Sequence, residues 1–585
     1  MKKTVLSLII LFLCLPALLA YDNMQKIFPV DSEVYQAIKN LYVQQGLSLP
    51  SATGPWSAAE LSLMLEKIDA SALNSAQKSI YDFAVSELSP TLDYEGKGVG
   101  FDFTPELNLE IYAHKDTGVA FQGRENWIYG TMDQQPFLAL DFETWAANNF
   151  YGWFEFDVMN SYKTHTPFGS TKLAANIPAF QNLSLYITDL NFNFPYRAFV
   201  SAGGDYWTVQ LGRDRVSWGA GQTGNLIIGD NLMYHNMLRF TAFADRFKYT
   251  FLASVFPHPM NYDGDNWGQT PGQELINEGL YMFLGHRLEG RFFKDRLGFT
   301  LTESIMYASE NGTIDLQIFN PAMFYHNLYY RYMSNSILGF EADWAVMPGL
   351  NVYGSLVIDE FWLFETDWKP GVNSQGFPSA NGFILGVDGS FTASDGLLYG
   401  SAEFAKTSPF LYLRYGTNTS QNKGQYGINY VVAIRHFHAQ DGASIEEEFL
   451  GYKYGGDAIV ANLNVGYKVF GSFHVEGNIF FMAHGTFDKD TCWTIVGNGD
   501  GTYPDYNQLQ TPTAWHPTDN HTDANANSRN SVSYTTVIGI NGGYTINKNL
   551  SAMAQLDFIN ISNYGNISGQ KASDVQLTVG LKLTN

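Results

Sequence analysis

The densest run of residues able to do chemistry lies between Val209 and Asn231. A strand-like Val209-Gln210-Leu211 leads into Arg213-Asp214-Arg215. A glycine-rich stretch with one tryptophan follows, Trp218-Gly219-Ala220-Gly221-Gln222-Thr223-Gly224, and it closes on Asn225-Leu226-Ile227-Ile228 and Asp230. Two guanidinium groups around a carboxylate can hold a polar ligand, or they can lock a loop through charge-assisted hydrogen bonds. Glycines let such a loop turn tightly and approach a wall closely. On residue chemistry the locking role is slightly favoured, with Arg213, Asp214, Arg215, Trp218, Asn225 and Asp230 as a structural network. Both arginines are costly against lipid, so both are expected to point into a lumen or a water-filled site.

Catalytic signatures are absent. There is no Gly-x-Ser-x-Gly, no His-Glu-x-x-His, no phosphate-binding loop and no cysteine pair, and the twelve histidines are scattered. No enzyme activity, cofactor or metal centre is expected. Asn498-Gly499-Asp500-Gly501 offers oxygen ligands for Ca²⁺ but lacks the rest of a calcium loop, so it reads as a plain turn. Sugar chemistry is better represented. Aromatic faces stack on a pyranose, and carboxylates and amides take its hydroxyls. Asp263, Asp265 and Trp267, the pair Asp367-Trp368, and Trp493 with Tyr503 are the candidate polysaccharide-binding residues. The competing role for each aromatic is a place in a membrane-interface belt.

The elements that must position these residues follow from composition. Of 585 residues, 15% are aromatic and only 16% charged, with 55 glycines. A soluble chain carries nearer a quarter charged residues. Low charge without any apolar run long enough for a membrane helix fits a transmembrane barrel, whose strands alternate apolar and polar faces. A soluble all-β propeller is the main alternative, but no 40–50-residue self-similarity is found. A formal charge of −23 argues against nucleic-acid binding, which needs a basic footprint.

The chain opens Met1-Lys2-Lys3 and continues apolar to Ala20, the pattern of a secretory signal peptide over residues 1–20. Without that segment Cys492 is the one remaining cysteine, so no internal disulfide forms. Residues 21–95 read as a helical bundle. Asp31 precedes the stripe Val34, Ile38, Leu41 and Tyr42, which Gly46 and Pro50 close. Ser57-Ala58-Ala59-Glu60 reads as a capping box ahead of Leu61, Met64, Leu65 and Ile68. Asn74 caps a third helix with Ile80, Phe83, Ala84 and Leu88 inward. Three short helices form a thin core, so the bundle should dock on something.

Residues 96–585 change to period two. Leu107, Leu109 and Ile111 alternate with polar neighbours, as do Leu138–Phe142, Trp153–Asp157, Leu190–Phe194, Tyr249–Phe256 and Leu280–Phe292. Leu297–Tyr307, Ile337–Val346, Val352–Trp362, Phe383–Phe391, Leu397–Ala405, Tyr426–His436, Ile459–Phe470, Phe473–Phe481 and Val575–Leu583 continue the pattern. Each is about the ten residues a tilted strand needs to cross a bilayer. Tight connections at 147–149, 244–246, 294–296, 348–349, 394–396, 471–472 and 547–549 alternate with long polar ones at 161–181, 216–235, 257–277, 309–334, 364–379, 407–425 and 485–531. That alternation predicts periplasmic turns and extracellular loops of a large antiparallel barrel. It has about 18 strands, within a range of roughly 16 to 20. Its lumen is wider than wall side chains can fill, so it conducts or is plugged, by the helical domain or by inward-folded loops.

The 209–231 segment resembles the Gly-Arg…Trp-Gly-x-Gly…Asn/Ser-Leu-Ile signature of the Wzi-type capsule assembly family. His286-Arg287-Leu288-Glu289-Gly290, Asn320-Pro321, Asn335-Ser336-Ile337-Leu338-Gly339-Phe340-Glu341-Ala342-Asp343-Trp344, Asp359-Glu360, Ala402–Pro409 and Leu450-Gly451 with Gly455–Ala458 agree with that family in order. The likeness spans roughly residues 30–470. The resemblance implies an 18-stranded barrel sealed on its periplasmic side by a three-helix bundle, with capsular polysaccharide held at the cell surface. The chain departs from it at Lys582-Leu583-Thr584-Asn585, which lacks a terminal aromatic, and in the Asn/Asp/Thr-rich loop 485–531. The expected function is non-covalent binding of surface or capsular polysaccharide by a monomeric barrel in outer-membrane lipid. The rivals are a diffusion porin for small solutes and a membrane-embedded hydrolase.

Overall fold

The computed structural model describes residues 24–89, 94–96, 98–117, 127–159, 178–183, 195–257, 280–309, 316–320, 334–360, 380–413, 429–438, 442–487 and 529–584, together with residues 190, 314, 325 and 514. The expected signal peptide, 1–20, lies outside the described residues. Eighteen long antiparallel strands close into one barrel. In chain order they are β1 Val99–His114, β2 Leu138–Ala146, β3 Phe150–Val158, β4 Ala198–Gly204, β5 Trp207–Asp214, β6 His235–Ala244, β7 Phe247–Phe256, β8 Leu280–Phe292 and β9 Leu297–Ser309. They continue as β10 Ser334–Met347, β11 Leu350–Glu360, β12 Ala380–Ala393, β13 Gly396–Thr407, β14 Ala458–Val469, β15 Phe473–His484, β16 Ser533–Asn547, β17 Leu550–Ser562 and β18 Lys571–Thr584. The last strand pairs with the first, from Gln576 opposite His114 to Thr584 opposite Glu106. Closure leaves no sheet edge, the condition for strands to stand in a bilayer.

The pleat explains the composition. In β14, Asn462 and Asn464 are buried toward the lumen, while Leu463 and Val465 between them are exposed on the outside. Strand β18 exposes Leu577, Val579, Leu581 and Leu583 in the same way. The outer surface is an apolar band. Tyr206, Trp207, Phe247, Phe293, Phe391 and Tyr544 stand exposed beside the short turns, where an aromatic girdle meets the membrane–water interface. All the tight connections fall at this one end.

One expected wall strand is corrected. Of the expected strand 426–436, residues 426–428 lie outside the described residues and 429–436 do not enter the barrel, because β13 pairs directly with β14, Thr407 opposite Ala458. Instead Val431–His438 pairs with Gly442–Phe449 as a separate hairpin. Val431, Val432, Ala433 and Ile434 are all buried in succession. Such a run is covered on both faces and does not suit a wall with one face in lipid and one in a polar lumen.

The helices are α1 Glu33–Gln45, α2 Ala58–Leu65 and α3 Ser75–Leu88. Gly46 ends α1 at φ 72°, and Leu47 N–H returns to Tyr42 O at 2.9 Å, a glycine-terminated helix end. Asn74 and Gln77 satisfy each other's backbone N–H groups at the start of α3. At α2 only half of the expected capping box forms. Ser57 accepts the Glu60 N–H, but the Glu60 carboxylate turns away to Lys248 of the barrel wall. Ile38, Leu41, Leu61 and Ala84 form the bundle core, and Leu397 from β13 joins them. The bundle sits at the short-turn end. Lys67 bridges Asp245 and Asp295 at 3.2 and 3.5 Å in two different turns. Gly349 N–H reaches Val43 O at 2.8 Å, and Lys39 pairs with Asp388 at 2.8 Å.

Leu41→Ala is expected to loosen this docking by about 2–5 kcal/mol, the cost of a cavity in a buried core. Proteolysis of segment 24–89 in detergent-solubilised protein should quicken while the barrel keeps its heat-modifiable gel mobility. Unchanged proteolysis would contradict the shared core.

Candidate functional site

Backbone inside a barrel must find hydrogen-bond partners, and two irregular segments meet that demand here. The first is residues 47–57, between α1 and α2, which run through the lumen along the wall β6–β10. Leu49 N–H donates to Asp343 at 2.6 Å, and Leu49 O accepts from Arg291 at 3.0 Å. Ser51 and Thr53 hydroxyls donate to Glu289 at 2.9 and 2.6 Å. Thr53 O accepts from Lys248 at 2.8 Å, and Pro55 O accepts from Arg239. Arg287 completes the cluster with a two-pronged bond to Glu341 at 2.6 and 2.9 Å. Lys248 also pairs with Glu60. Burial pushes the Glu60 carboxyl above its usual range, against the opposing pull of the Lys248 ammonium.

The second segment is the β5–β6 connection, residues 215–234. It folds inward rather than outward. Ser217–Trp218 pairs with Thr53–Gly54, so the two lumenal segments form a small sheet of their own. Trp218 is 1% exposed, meets Phe283 edge-on, and lies with its ring 6.0 Å from the Arg287 guanidinium carbon. Gly285 lines the wall there, since a Cβ at that position would fall 2.8 Å from the indole. The loop then crosses the lumen to β13. Glu403 receives the N–H groups of Gln222 and Thr223 at 2.7 and 2.8 Å, the Thr223 hydroxyl at 2.5 Å and the Tyr353 hydroxyl at 2.6 Å. Beyond it, Tyr412 donates to Leu226 O at 2.6 Å, and Gly229 N–H reaches Leu450 O at 2.9 Å. Leu226, Ile227, Ile228, Tyr412, Tyr430, Phe449 and Tyr452 become one buried apolar mass with Phe283, Ile337 and Val357 of the wall.

Most of the residues read from the sequence as a lumen network are brought together here, in unequal roles. Asp214 is fully buried and takes Arg197 at 2.7 Å, Gln210 at 2.8 Å and the Arg215 N–H at 2.9 Å. Arg215 faces the lumen and ties the loop to the N-terminal segment, through Asp31 at 3.1 Å and Asp230 O at 3.1 Å. Asp230 thus contributes its backbone carbonyl to this tie. Asn225 braces the glycine turn, accepting from Gly221 N–H at 3.0 Å and donating to Ser217 at 2.9 Å. Arg213 is the correction. It shares the outward register of Leu211 and lies opposite outward-facing Asn236, whose side chain it meets at 3.1 Å. Arg213 escapes lipid by its position at the loop end of β5, where it donates to Pro195 O and stacks over Tyr234 at 4.0 Å. A long side chain at a strand end reaches the interface in this way. The candidate sugar-binding residues Asp263, Asp265, Trp267, Asp367, Trp368, Trp493 and Tyr503 lie outside the described residues.

The sequence reading missed the partners of the network. Glu403, Tyr353, Arg197 and the 47–57 segment are distant in sequence, and the one signal was charge at alternate positions, as in Arg287-Leu288-Glu289-Gly290-Arg291.

No protein-family model matches the sequence, and no curated protein sequence matches it. Among solved structures, the chain is similar to Wzi of Escherichia coli, an outer-membrane protein involved in group 1 capsule assembly and a carbohydrate-binding β-barrel. The alignment covers 95% of this chain and 99% of that one, with 13% identity and a TM-score of 0.55. It also aligns with the outer-membrane channel DcaP of Acinetobacter baumannii over 85% of this chain and 100% of that one, at 11% identity and TM-score 0.33. An anion-selective porin from Comamonas acidovorans aligns over 83% and 100%, at 10% identity and TM-score 0.32. The chain is an outer-membrane β-barrel. The apolar outer band, the closed sheet and the shared fold agree on this.

Lys248→Met leaves the Glu60 carboxylate buried without its cation, a loss of about 3–5 kcal/mol. The single variant should release the bundle to protease. The double variant Lys248→Met/Glu60→Gln should recover most of the protection, because no unpaired charge remains. Equal sensitivity in both variants would contradict a buried ion pair as the anchor.

Proposed function

We propose that this chain is a Wzi-type capsule assembly protein: an outer-membrane barrel, closed through its lumen, that holds surface or capsular polysaccharide non-covalently with its outer loops. Residues 21–95 act as the periplasmic plug once a signal peptide at 1–20 is removed. Asp263, Asp265, Trp267, Asp367, Trp368, Trp493 and Tyr503 are the proposed sugar contacts, and no covalent chemistry is involved. The observation that carries this reading is the filled lumen. The 215–234 loop spans from β5 to Glu403 on the opposite wall and is buried in an apolar core. A diffusion porin keeps such a path wet. A closed barrel leaves its outer surface as the working part. There, many weak sugar contacts repeated along a polymer give firm attachment by multivalency. The fold shared with a carbohydrate-binding barrel is consistent with this assignment.

In planar bilayers the intact protein is expected to show no large steady conductance, and Glu403→Ala should produce noisy openings by freeing the loop tip. Cells carrying Trp267→Ala, Trp368→Ala and Trp493→Ala together should retain less of the producer's own surface glycan. A large, stable pore in the unmodified protein would replace this reading with the porin.

A further inference from the structure

The apolar plug fills the barrel unevenly. At the long-loop end it packs against the wall on all sides, Val460, Phe480, Val537 and Ile559 included, and nearer the bundle, beside α1, the lumen is polar and partly empty. A cavity of about 280 Å³ lies there, between α1 and the inward faces of β12–β15, with Gln222 of the loop tip and Trp127 among its lining residues. We propose that this cavity is a saccharide-binding site, for an uncharged pyranose or disaccharide, facing the bundle side of the barrel.

Four observations lead there. First, the cavity is blind toward the long loops. One step further along β14, Asn462 and Asn478 bond to each other through both amides at 3.0 Å, and Phe480 beyond them is fully buried. Second, the Asn464 side chain points into the lumen from β14 and lines the cavity. The residue is 5% exposed, and its amide nitrogen has no hydrogen-bond partner among the described residues. A buried donor left unsatisfied is costly, and a hydroxyl oxygen in the cavity removes that cost. Third, the remaining lining suits a sugar ring. Trp127 and Tyr399 line it with aromatic rings, and Ser401 brings a hydroxyl. Fourth, no cation is in surplus. Lys39 is paired with Asp388 at 2.8 Å and Lys468 with Glu33 at 2.6 Å, while Glu476 accepts from the Tyr399 hydroxyl at 2.8 Å. With no surplus cation, an anionic ligand is disfavoured, and Glu476 remains as an acceptor for a neutral hydroxyl. The volume is close to the lower end of ligand pockets, about 300 Å³.

This site is separate from the outer-loop contacts proposed above and does not depend on them. Lys468 also borders a second cavity of about 360 Å³, lined by Asn108, Glu110 and Lys582. The Glu33–Lys468 pair therefore stands between the two spaces, and a second sugar unit has room beyond it.

The test is calorimetric titration of the full-length protein in a non-sugar amine-oxide detergent, with maltose as probe and glucuronate as charged control. Maltose should bind saturably and glucuronate should not. Asn464→Leu should weaken maltose binding about tenfold, one hydrogen bond's worth, and Ser401→Phe, which fills the cavity, should abolish it. Heat-modifiable gel mobility checks that both variants fold. Trp127→Phe, a loop substitution, should remove the maltose-dependent change in tryptophan fluorescence whatever the fate of the wall variants. Absence of saturable binding in the intact protein overturns the proposal. So does binding that survives both wall substitutions, which places the sugar on the outer loops instead. Loss of glycan retention on cells speaks to the outer loops and leaves this titration unaffected.

Discussion

The structure depends on one constraint. A barrel of eighteen strands encloses more space than its own side chains fill, and anything placed inside must bring no unsatisfied backbone. The chain meets this with two irregular segments that satisfy each other. Residues 53–54 and 217–218 form a two-stranded ladder inside the lumen, and the wall supplies the remaining partners. Three carboxylates of the wall serve backbone or hydroxyl groups of these segments. Glu289 takes Ser51 and Thr53, Asp343 takes Leu49, and Glu403 takes Gln222 and Thr223. The lumenal charges on this side are therefore best understood as the hydrogen-bonding complement of a folded-in chain.

This explains why the charges occur as networks. An isolated ion facing the interior of a barrel gains little from its position and loses hydration. Arg287 has Glu341, Glu289 and Thr53 around it, and Lys248 has Glu60 and Thr53 O. Because the partners belong to different elements, removing one leaves a buried charge on another. The bundle and the barrel are coupled through these residues more tightly than a thin three-helix core achieves alone.

The wall was largely legible in the sequence, because period-two alternation is a local property. Strands such as β8 and β14 carry it plainly, and the tight connections mark one end. Asn74 and Gly46 also act where the sequence put them. What was not legible is whatever depends on a second face or a distant partner. Strand β16 is rich in Gly, Ser, Thr and Asn, and β4 holds Ser201, Gly203 and Gly204 in seven residues, which weakens the contrast between faces. The Val431–Ile434 run looked like a wall strand until both faces proved buried. Glu60 left its own helix end for Lys248, a competition between a local cap and a long-range ion pair that spacing cannot decide. Arg213 turned outward because register, not charge, sets which side a strand residue faces, and its place at the strand end made that affordable.

The uneven filling of the lumen has a mechanical consequence. The apolar mass around Trp218, Ile228 and Tyr430 is continuous with the loop end of the wall, from Met237 and Phe283 round to Val460, Phe480, Val537 and Ile559, so that end behaves as a packed core and transmits strain. Nearer the bundle the inward face of β14–β18 carries amides and hydroxyls, Asn462, Asn464, Asn478, Gln555, Gln576 and Thr578. Amide-lined space exchanges water and ligands at little structural cost, whereas apolar space does not. The barrel is thus packed at its loop end and more open beside α1. A load applied to the outer loops passes into that packed end through the 215–234 loop.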